Sequence, residues 1–164
     1  MNDNIRARKL LKAVCAAIIA AVLTISMWPV VRISVGKDVW ITQNFKKAEQ
    51  PVRINFIHSV QKTPVEENLI ARPGYDFILK STKYQSFGVG LPFLESDGAV
   101  FVKDGDYFVM DGMGRRFKKI DLRTGVGTKL VVIVGDTEHR MYEKFPPGTK
   151  IHLSCMPLIE AYLL

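Results

Sequence analysis

The sequence predicts an all-β domain, built as an antiparallel β-sandwich or small barrel and preceded by one N-terminal transmembrane helix. Beyond residue 31, apolar residues recur at every second position over short stretches that Gly, Pro, Asp and Asn interrupt, a period typical of half-buried strands. Four basic residues precede the uncharged run 13–31, which predicts the helix. The chain therefore divides into a cytoplasmic basic arm (1–12), a membrane anchor (13–31) and an extracytoplasmic β domain (32–164).

The predicted anchor begins at Ala13 and ends at Val31, and its 19 residues, rising about 1.5 Å each, span the hydrocarbon core of a bilayer. Because basic residues favour the cytoplasmic side, we expect a single-pass protein of the cell (inner) membrane with a periplasmic domain. Trp28 suits the outer interface, where an indole anchors a helix end. A cleaved signal peptide is the alternative, but residues 24–26 match poorly the small residues that cleavage needs.

The basic character of the chain belongs partly to the arm. Of its 23 basic and 16 acidic residues, the arm contains four and one, which leaves the β domain with 19 and 15. Proximity to anionic lipid explains this small excess, and we predict no nucleic-acid partner. Cys15 lies in the anchor and Cys155 near the C-terminus, so we do not expect them to pair.

The first predicted strand, 32–35, begins almost where the anchor ends, and a second covers 39–45. The chain has no flexible linker here, so we expect the domain to lie close against the bilayer. This spacing favours docking onto a partner in the membrane.

Two strands, 52–60 and 65–71, form a predicted hairpin around the loop 61–64. With Val60 opposite Val65, each inward residue meets an inward residue, and His58 lies opposite Glu67. The same register places Phe56 opposite Leu69 and Ile54 opposite Ala71. A histidine beside a carboxylate could be an acid–base couple, a ligand site or a structural pair, and the structural interpretation is favoured.

The alternation argues against catalysis and metal binding. Ser59 and Glu66 point to the face opposite His58, so a Ser-His-Glu triad is not supported. The remaining candidate ligands show no clustered spacing, since His152 and Cys155, three apart on one strand, point to opposite faces. We predict no metal, no cofactor and no enzymatic activity.

Residues 84–92 (YQSFGVGLP) form a second motif. Its two glycines could expose backbone amides to a small anion, or they could shape a crossover between strands, and both interpretations stay open. The motif lacks the lysine and hydroxyl of a phosphate loop and no helical pattern follows it, so we reject a nucleotide site.

The remaining pattern is architectural. Residues 99–103 and 106–111 predict a hairpin, with Asp104 and Gly105 as its turn and Phe101 opposite Phe108. The next predicted strand carries a basic cluster of Arg115, Arg116, Lys118, Lys119 and Arg123. This cluster is typical of a solvated sheet edge, and contact with lipid or an acidic partner is the alternative. Further strands are predicted at 129–134 and 151–155, with no helices between the strands.

The two motifs, 58–67 (HSVQKTPVEE) and 84–92, resemble a bacterial family numbered 1850 among the domains of unknown function. The resemblance covers the exterior domain from about residue 32. It implies no established activity. It does imply a neighbour, because such proteins are often encoded beside permeases of tripartite ATP-independent periplasmic (TRAP) transporters, in the subgroup whose solute receptor is the TRAP-associated extracytoplasmic immunogenic (TAXI) protein.

Residues and resemblance together predict a non-enzymatic accessory protein of a TAXI-type TRAP transporter, acting by protein contact or solute recognition. The alternative is a stand-alone membrane-anchored sensor or small-molecule-binding domain. Expected partners are the bilayer, the permease or its receptor, and a small carboxylate or amino-acid solute. The candidate site residues are His58, Ser59, Lys62, Thr63, Pro64, Glu66, Glu67, Tyr84, Gln85, Ser86, Gly88 and Gly90.

Overall fold

The fold is described by a computed structural model that covers residues 2–36, 38–85 and 99–163. It begins with α1 (Asn2–Ser26), and Arg6–Ser26 is long and apolar enough to cross a membrane by length and composition. No part of this stretch is buried against the rest of the described chain. The Thr24 and Ser26 hydroxyls donate to the carbonyls four residues earlier, both at 2.8 Å, so neither needs a water partner.

Within the described residues, twelve strands and two further short helices follow α1. They are β1 (Pro29–Val35), β2 (Asp38–Asn44), β3 (Gln50–Ile57), β4 (Pro64–Arg72), β5 (Asp76–Tyr84), β6 (Val100–Asp104), β7 (Tyr107–Asp111), β8 (Arg116–Phe117), β9 (Lys119–Arg123), β10 (Val131–Val134), β11 (Thr137–Arg140), α2 (Met141–Lys144), β12 (Lys150–Pro157) and α3 (Leu158–Leu163). The prediction of no helices between the strands is wrong at α2, a single turn between β11 and β12.

The strands form two antiparallel sheets, which confirms the all-β prediction. The smaller sheet has the order β2-β1-β12-β9, and the larger has the order β11-β10-β3-β4-β5-β7-β6, with β8 paired to β5. Alternate residues of both sheets meet in one core, where Ile33 and Leu153 of the smaller sheet pack with Ile54, Phe77 and Val132 of the larger. This packing follows from the period-two alternation that the sequence shows.

The apolar run that predicts the anchor contains both a helix and the start of a strand. α1 ends at Ser26 and β1 begins at Pro29, where Val30 and Val31 are fully buried. The predicted anchor end at Val31 and the predicted strand start at Arg32 are therefore wrong. The reason is that a strand buried on both faces is as continuously apolar as the end of a membrane helix.

The β3–β4 hairpin has a longer turn than predicted. Phe56 pairs with Val65 and Ile54 with Glu67, so the predicted pairing of His58 with Glu67 is wrong by four residues. The chain leaves β3 at Ile57 and turns through residues 58–63, which we call the β3–β4 turn. Because four is an even number, the inward and outward sets of both strands are as predicted.

The later strands also differ in detail. Gly105, with a φ of 60°, and Asp106 form the β6–β7 turn, so Phe101 pairs with Met110 instead of Phe108. The rings of Phe101 and Phe108 still stack diagonally, with centroids 5.6 Å apart. The basic cluster lies on two strands instead of one, because the chain crosses at Lys118 from β8 in the larger sheet to β9 in the smaller.

Candidate functional site

The His58 imidazole organises the β3–β4 turn. Its Nδ1 accepts hydrogen bonds from the backbone N–H groups of Val60 and Gln61, at 3.3 and 3.1 Å. The backbone closes the same turn, because the His58 N–H donates to the Thr63 carbonyl and the Lys62 N–H donates to the His58 carbonyl, both at 2.9 Å. An Nδ1 that accepts leaves the proton of the neutral ring on Nε2, which can donate to a ligand.

A cavity of about 380 Å³ opens beside this turn, between the larger sheet and β9 of the smaller sheet. We call it the inter-sheet cavity. Its volume falls in the range of small-molecule sites, roughly 300–1,000 Å³. It is lined by residues from β3, the β3–β4 turn, β4, β9 and the segment before β10: Phe56, Ile57, His58, Ser59, Glu67, Asp121, Leu122, Arg123, Thr128 and Leu130.

Glu67 brings a desolvated carboxylate to the inter-sheet cavity. β4 places Glu67 on the inner face, where its cross-strand neighbours are Ile54 and Thr82. Burial raises the pKa of the Glu67 carboxyl, and the positive charge of Arg115 offsets part of that rise. Among the residues that the structure describes, no hydrogen bond or salt bridge reaches this carboxylate. It can therefore accept from a ligand amine or exchange a proton with one.

β9 borders the inter-sheet cavity and carries two charged residues there. Asp121 is hydrogen-bonded to His152 Nδ1 at 2.5 Å and paired with Lys119 at 3.0 Å, and these contacts lower the pKa of its carboxyl. Arg123 is exposed and donates from Nη1 to the Gly148 carbonyl at 3.2 Å. Asp121 and Arg123 alternate along β9 with the core-facing Leu122, so both charged side chains lie on the outer side of the smaller sheet. The cavity itself therefore combines a desolvated carboxylate with apolar side chains, a set that suits a small molecule carrying an amino group.

A second cavity, of about 360 Å³, lies on the outer face of the same strands, and we call it the outer-face groove. Two of its three charged residues, Glu66 and Lys83, already have partners in the protein, and the third is the exposed Lys129. Glu66 accepts from Asn68 Nδ2 at 3.0 Å, and Lys83 is paired with Asp104 at 2.9 Å. The groove therefore offers a charged ligand less than the inter-sheet cavity does.

The residues that line both cavities fall between positions 55 and 130. The sequence model of the family described as Domain of unknown function (DUF1850) matches residues 52–141, more than half of the chain. The chain belongs to the DUF1850 family. No curated protein and no solved structure matches it. The DUF1850 match contains the β3–β4 turn and both cavities, while α1, β1, β2, β12 and α3 lie outside it.

The structure brings together only some of the predicted site residues of this DUF1850 domain. Those that line the inter-sheet cavity are His58, Ser59 and Glu67, and those that line the outer-face groove are Pro64 and Glu66. His58 and Glu67 thus share a cavity although they are not cross-strand partners. The predicted residues within the β3–β4 turn are Lys62, which is exposed, and Thr63, whose buried hydroxyl has no partner among the described residues.

Only the first two residues of the second DUF1850 motif, Tyr84 and Gln85, lie within the described residues. Tyr84 is fully buried in a small core with Val65, and burial raises the pKa of its hydroxyl. Gln85 follows β5 and is half-buried. The other predicted residues of this motif, Ser86, Gly88 and Gly90, lie outside the described residues.

Sequence reasoning missed the wall that β9 contributes. The sequence contains one indication of this pairing. Residues 119–123 and 150–154 both alternate, and pairing the two segments places Asp121 opposite His152. Both cysteines are free, and Cys155 is buried. Within the described ranges, no group of three or more His, Cys, Asp or Glu side chains could hold a metal ion.

Proposed function

We propose that this DUF1850 protein is a membrane-anchored, extracytoplasmic accessory protein of a TAXI-type TRAP transporter, acting through contact with the permease or its solute receptor. One observation carries the proposal: the domain joins α1 without a linker. Only Met27 and Trp28 separate α1 from β1, and Val30 is already fully buried in the sheet. Such a junction gives the domain little freedom to move away from the end of α1.

Hydrogen bonds support a rigid junction. The Leu158 N–H donates to the Trp28 carbonyl at 2.9 Å, and the Trp28 indole N–H donates to the Phe45 carbonyl at 3.3 Å. The Tyr75 hydroxyl lies 3.5 Å from the Met27 carbonyl. A domain held in this way meets partners beside it in the membrane at a high effective concentration.

The identity of the partner comes from the family resemblance. The resemblance implies that a TRAP permease is encoded nearby, and a protein anchored in the same membrane is suited to contact it. The basic arm favours a cytoplasmic N-terminus, which would place the β domain on the periplasmic side where a solute receptor works.

Co-purification tests this proposal. The tagged full-length chain is expressed with the neighbouring permease, extracted in several mild detergents and analysed by mass spectrometry. We expect the permease to be recovered with the wild type and reduced when a flexible Gly/Ser segment is inserted after Ser26. The same segment inserted at the exposed Gly105 turn is the control. A wild-type chain that migrates alone in every detergent contradicts the proposal.

A second candidate function, the binding of a small solute, is favoured by the inter-sheet cavity. An amino acid or another small amine could place its ammonium near Glu67, which lines the cavity. A ligand that binds only the native state adds about 2.7 kcal/mol to the free energy of unfolding at a ligand concentration of 100 times Kd. The melting temperature rises as a result.

A thermal-shift screen of the full-length chain in detergent, against amino acids and small carboxylates, tests this second function. We expect stabilisation by at least one solute that His58→Ala and Glu67→Gln abolish. Glu66→Gln is the matched control, because Glu66 lies on the other face of the same strand. Stabilisation that survives in Glu67→Gln would place the ligand outside the inter-sheet cavity.

A further inference from the structure

The C-terminal helix α3 begins at the same level as the end of α1. β12 runs antiparallel to β1, and the pairing of Pro157 with Pro29 returns the chain to the point where the domain starts. The hydrogen bond from the Leu158 N–H to the Trp28 carbonyl fixes the first residue of α3 there. From this point α3 packs across β12, β1 and β2.

One face of α3 is apolar and uncovered. Ala161 is fully buried against the sheet, whereas Ile159, Tyr162 and Leu163 are 45%, 73% and 77% exposed. These three residues have the spacing i, i+3, i+4, so they form one stripe along the helix, which we call the α3 stripe. Glu160 is also exposed; it points about 100° away from Ile159 and about 60° away from Leu163 around the helix axis, so it lies at the edge of the stripe.

The α3 stripe continues an apolar surface that begins on α1. Met27 and Trp28, just after the end of α1, are 56% and 48% exposed. The membrane-length stretch of α1 before them is unburied, although α1 contacts α3. Trp28 and Tyr162 are the two residue types that concentrate at membrane interfaces. Because α3 contacts α1, lipid that surrounds α1 would also reach the α3 stripe.

We infer that α3 lies in the outer interface of the bilayer, with the α3 stripe in contact with lipid beside the point where α1 leaves the membrane. Amphipathic helices with aromatic and aliphatic residues on one face bind membranes in this position. The inference rests on the part of the proposed function that has α1 spanning the bilayer. A second contact with lipid would stop the β domain from rotating about α1 and so fix which side faces a neighbouring permease.

Fluorescent labels on single cysteines test the inference in the full chain reconstituted into liposomes. Native Cys15 reports on α1. In a Cys15→Ala background, Ile159→Cys and Leu163→Cys report on the α3 stripe. Val126→Cys is the control, because Val126 is 82% exposed and lies far from α3. It follows Arg123, which pairs with Lys150 at the end of β12 opposite to Pro157.

Cys155 does not interfere with this design, because it is 5% exposed and burial raises the pKa of its thiol to about 12. The Cys15→Ala chain without a new cysteine measures any residual labelling. Liposomes contain lipids with a nitroxide quencher either near the headgroup or deep in the acyl chain. Circular dichroism of each variant checks that the sheets are retained.

We expect the deep quencher to reduce the emission of the label at Cys15 most, and the shallow quencher to reduce the emission of the labels at positions 159 and 163 most. The emission of the labels on α1 and on α3 should be blue-shifted. The label at 126 should emit as it does in water and lose no intensity. Quenching at Cys15 with water-like, unquenched labels at 159 and 163 overturns the inference and leaves the anchor intact. An unquenched label at Cys15 overturns the membrane-spanning α1 itself, and with it the proposed function.

Discussion

Replacement of Val31 by threonine tests whether the chain has left α1 by that residue. Val31 is fully buried in the core that contains Ile33 and Leu153. Threonine keeps the shape of valine and adds one hydroxyl, and burial of a hydroxyl without a partner lowers the free energy of unfolding by about 1–3 kcal/mol. For a domain of about 130 residues, each kcal/mol lowers the melting temperature by about 3–5 °C.

The matched control is Val22→Thr, within α1. Val22 is exposed, and a hydroxyl there can bond to the carbonyl four residues earlier, as Thr24 bonds to Ala20 at 2.8 Å. Near-UV circular dichroism of the full chain in one detergent should show a lower melting temperature for Val31→Thr alone. Equal melting temperatures for the two variants would refute the assignment of Val31 to β1 and restore an anchor that ends at Val31.

Three further predictions follow from the titratable groups. Burial raises the pKa of Glu67, so ionisation of its carboxyl lowers the free energy of unfolding as the pH rises from about 4 through that pKa. The Glu67→Gln variant should therefore have a higher melting temperature than the wild type near pH 8 and the same melting temperature in acid. Hydrogen bonds from Arg72 and Arg116 lower the pKa of Asp76. The ionised Asp76 therefore stabilises the fold at neutral pH, and this stabilisation is lost as the pH falls below about 4. In thermal scans, the melting temperature of Asp76→Asn should decrease less than that of the wild type over this acid range. Because burial raises the pKa of Cys155 to about 12, iodoacetamide near pH 8 should modify Cys155 only after unfolding; mass spectrometry of the folded, treated chain would detect any contrary labelling.

Strand faces were predictable from the sequence, whereas strand register was not. The period of two assigns Ile54 and Phe56 to the core, and this assignment survives an even shift of register. The length of the β3–β4 turn depends on a side-chain contact, the acceptance of two backbone N–H groups by His58 Nδ1. No turn dipeptide in the sequence indicates such a contact, so the sequence alone predicts a β3–β4 turn that is too short.

The candidate site was only half predictable, because its walls come from segments far apart in the chain. His58 and Glu67 are close in sequence, and their shared face follows from alternation. β9 borders the inter-sheet cavity because it pairs with β12, a contact between segments about 30 residues apart. The pattern of one sequence does not reveal which of several alternating segments will pair.

The smaller sheet separates the inter-sheet cavity from the end of α1. β12 pairs with the start of β1 at Pro157, whereas its other end, Lys150, pairs with Arg123. At about 3.3 Å per residue, Arg123 lies up to roughly 20 Å from the level of Pro157. If α1 spans the bilayer, the cavity stands beyond the lipid head groups, within reach of a dissolved solute or a soluble receptor. We therefore expect Glu67→Gln to weaken solute-induced stabilisation while shallow quenching at position 163 is unchanged, and loss of both would contradict this separation of the two ends.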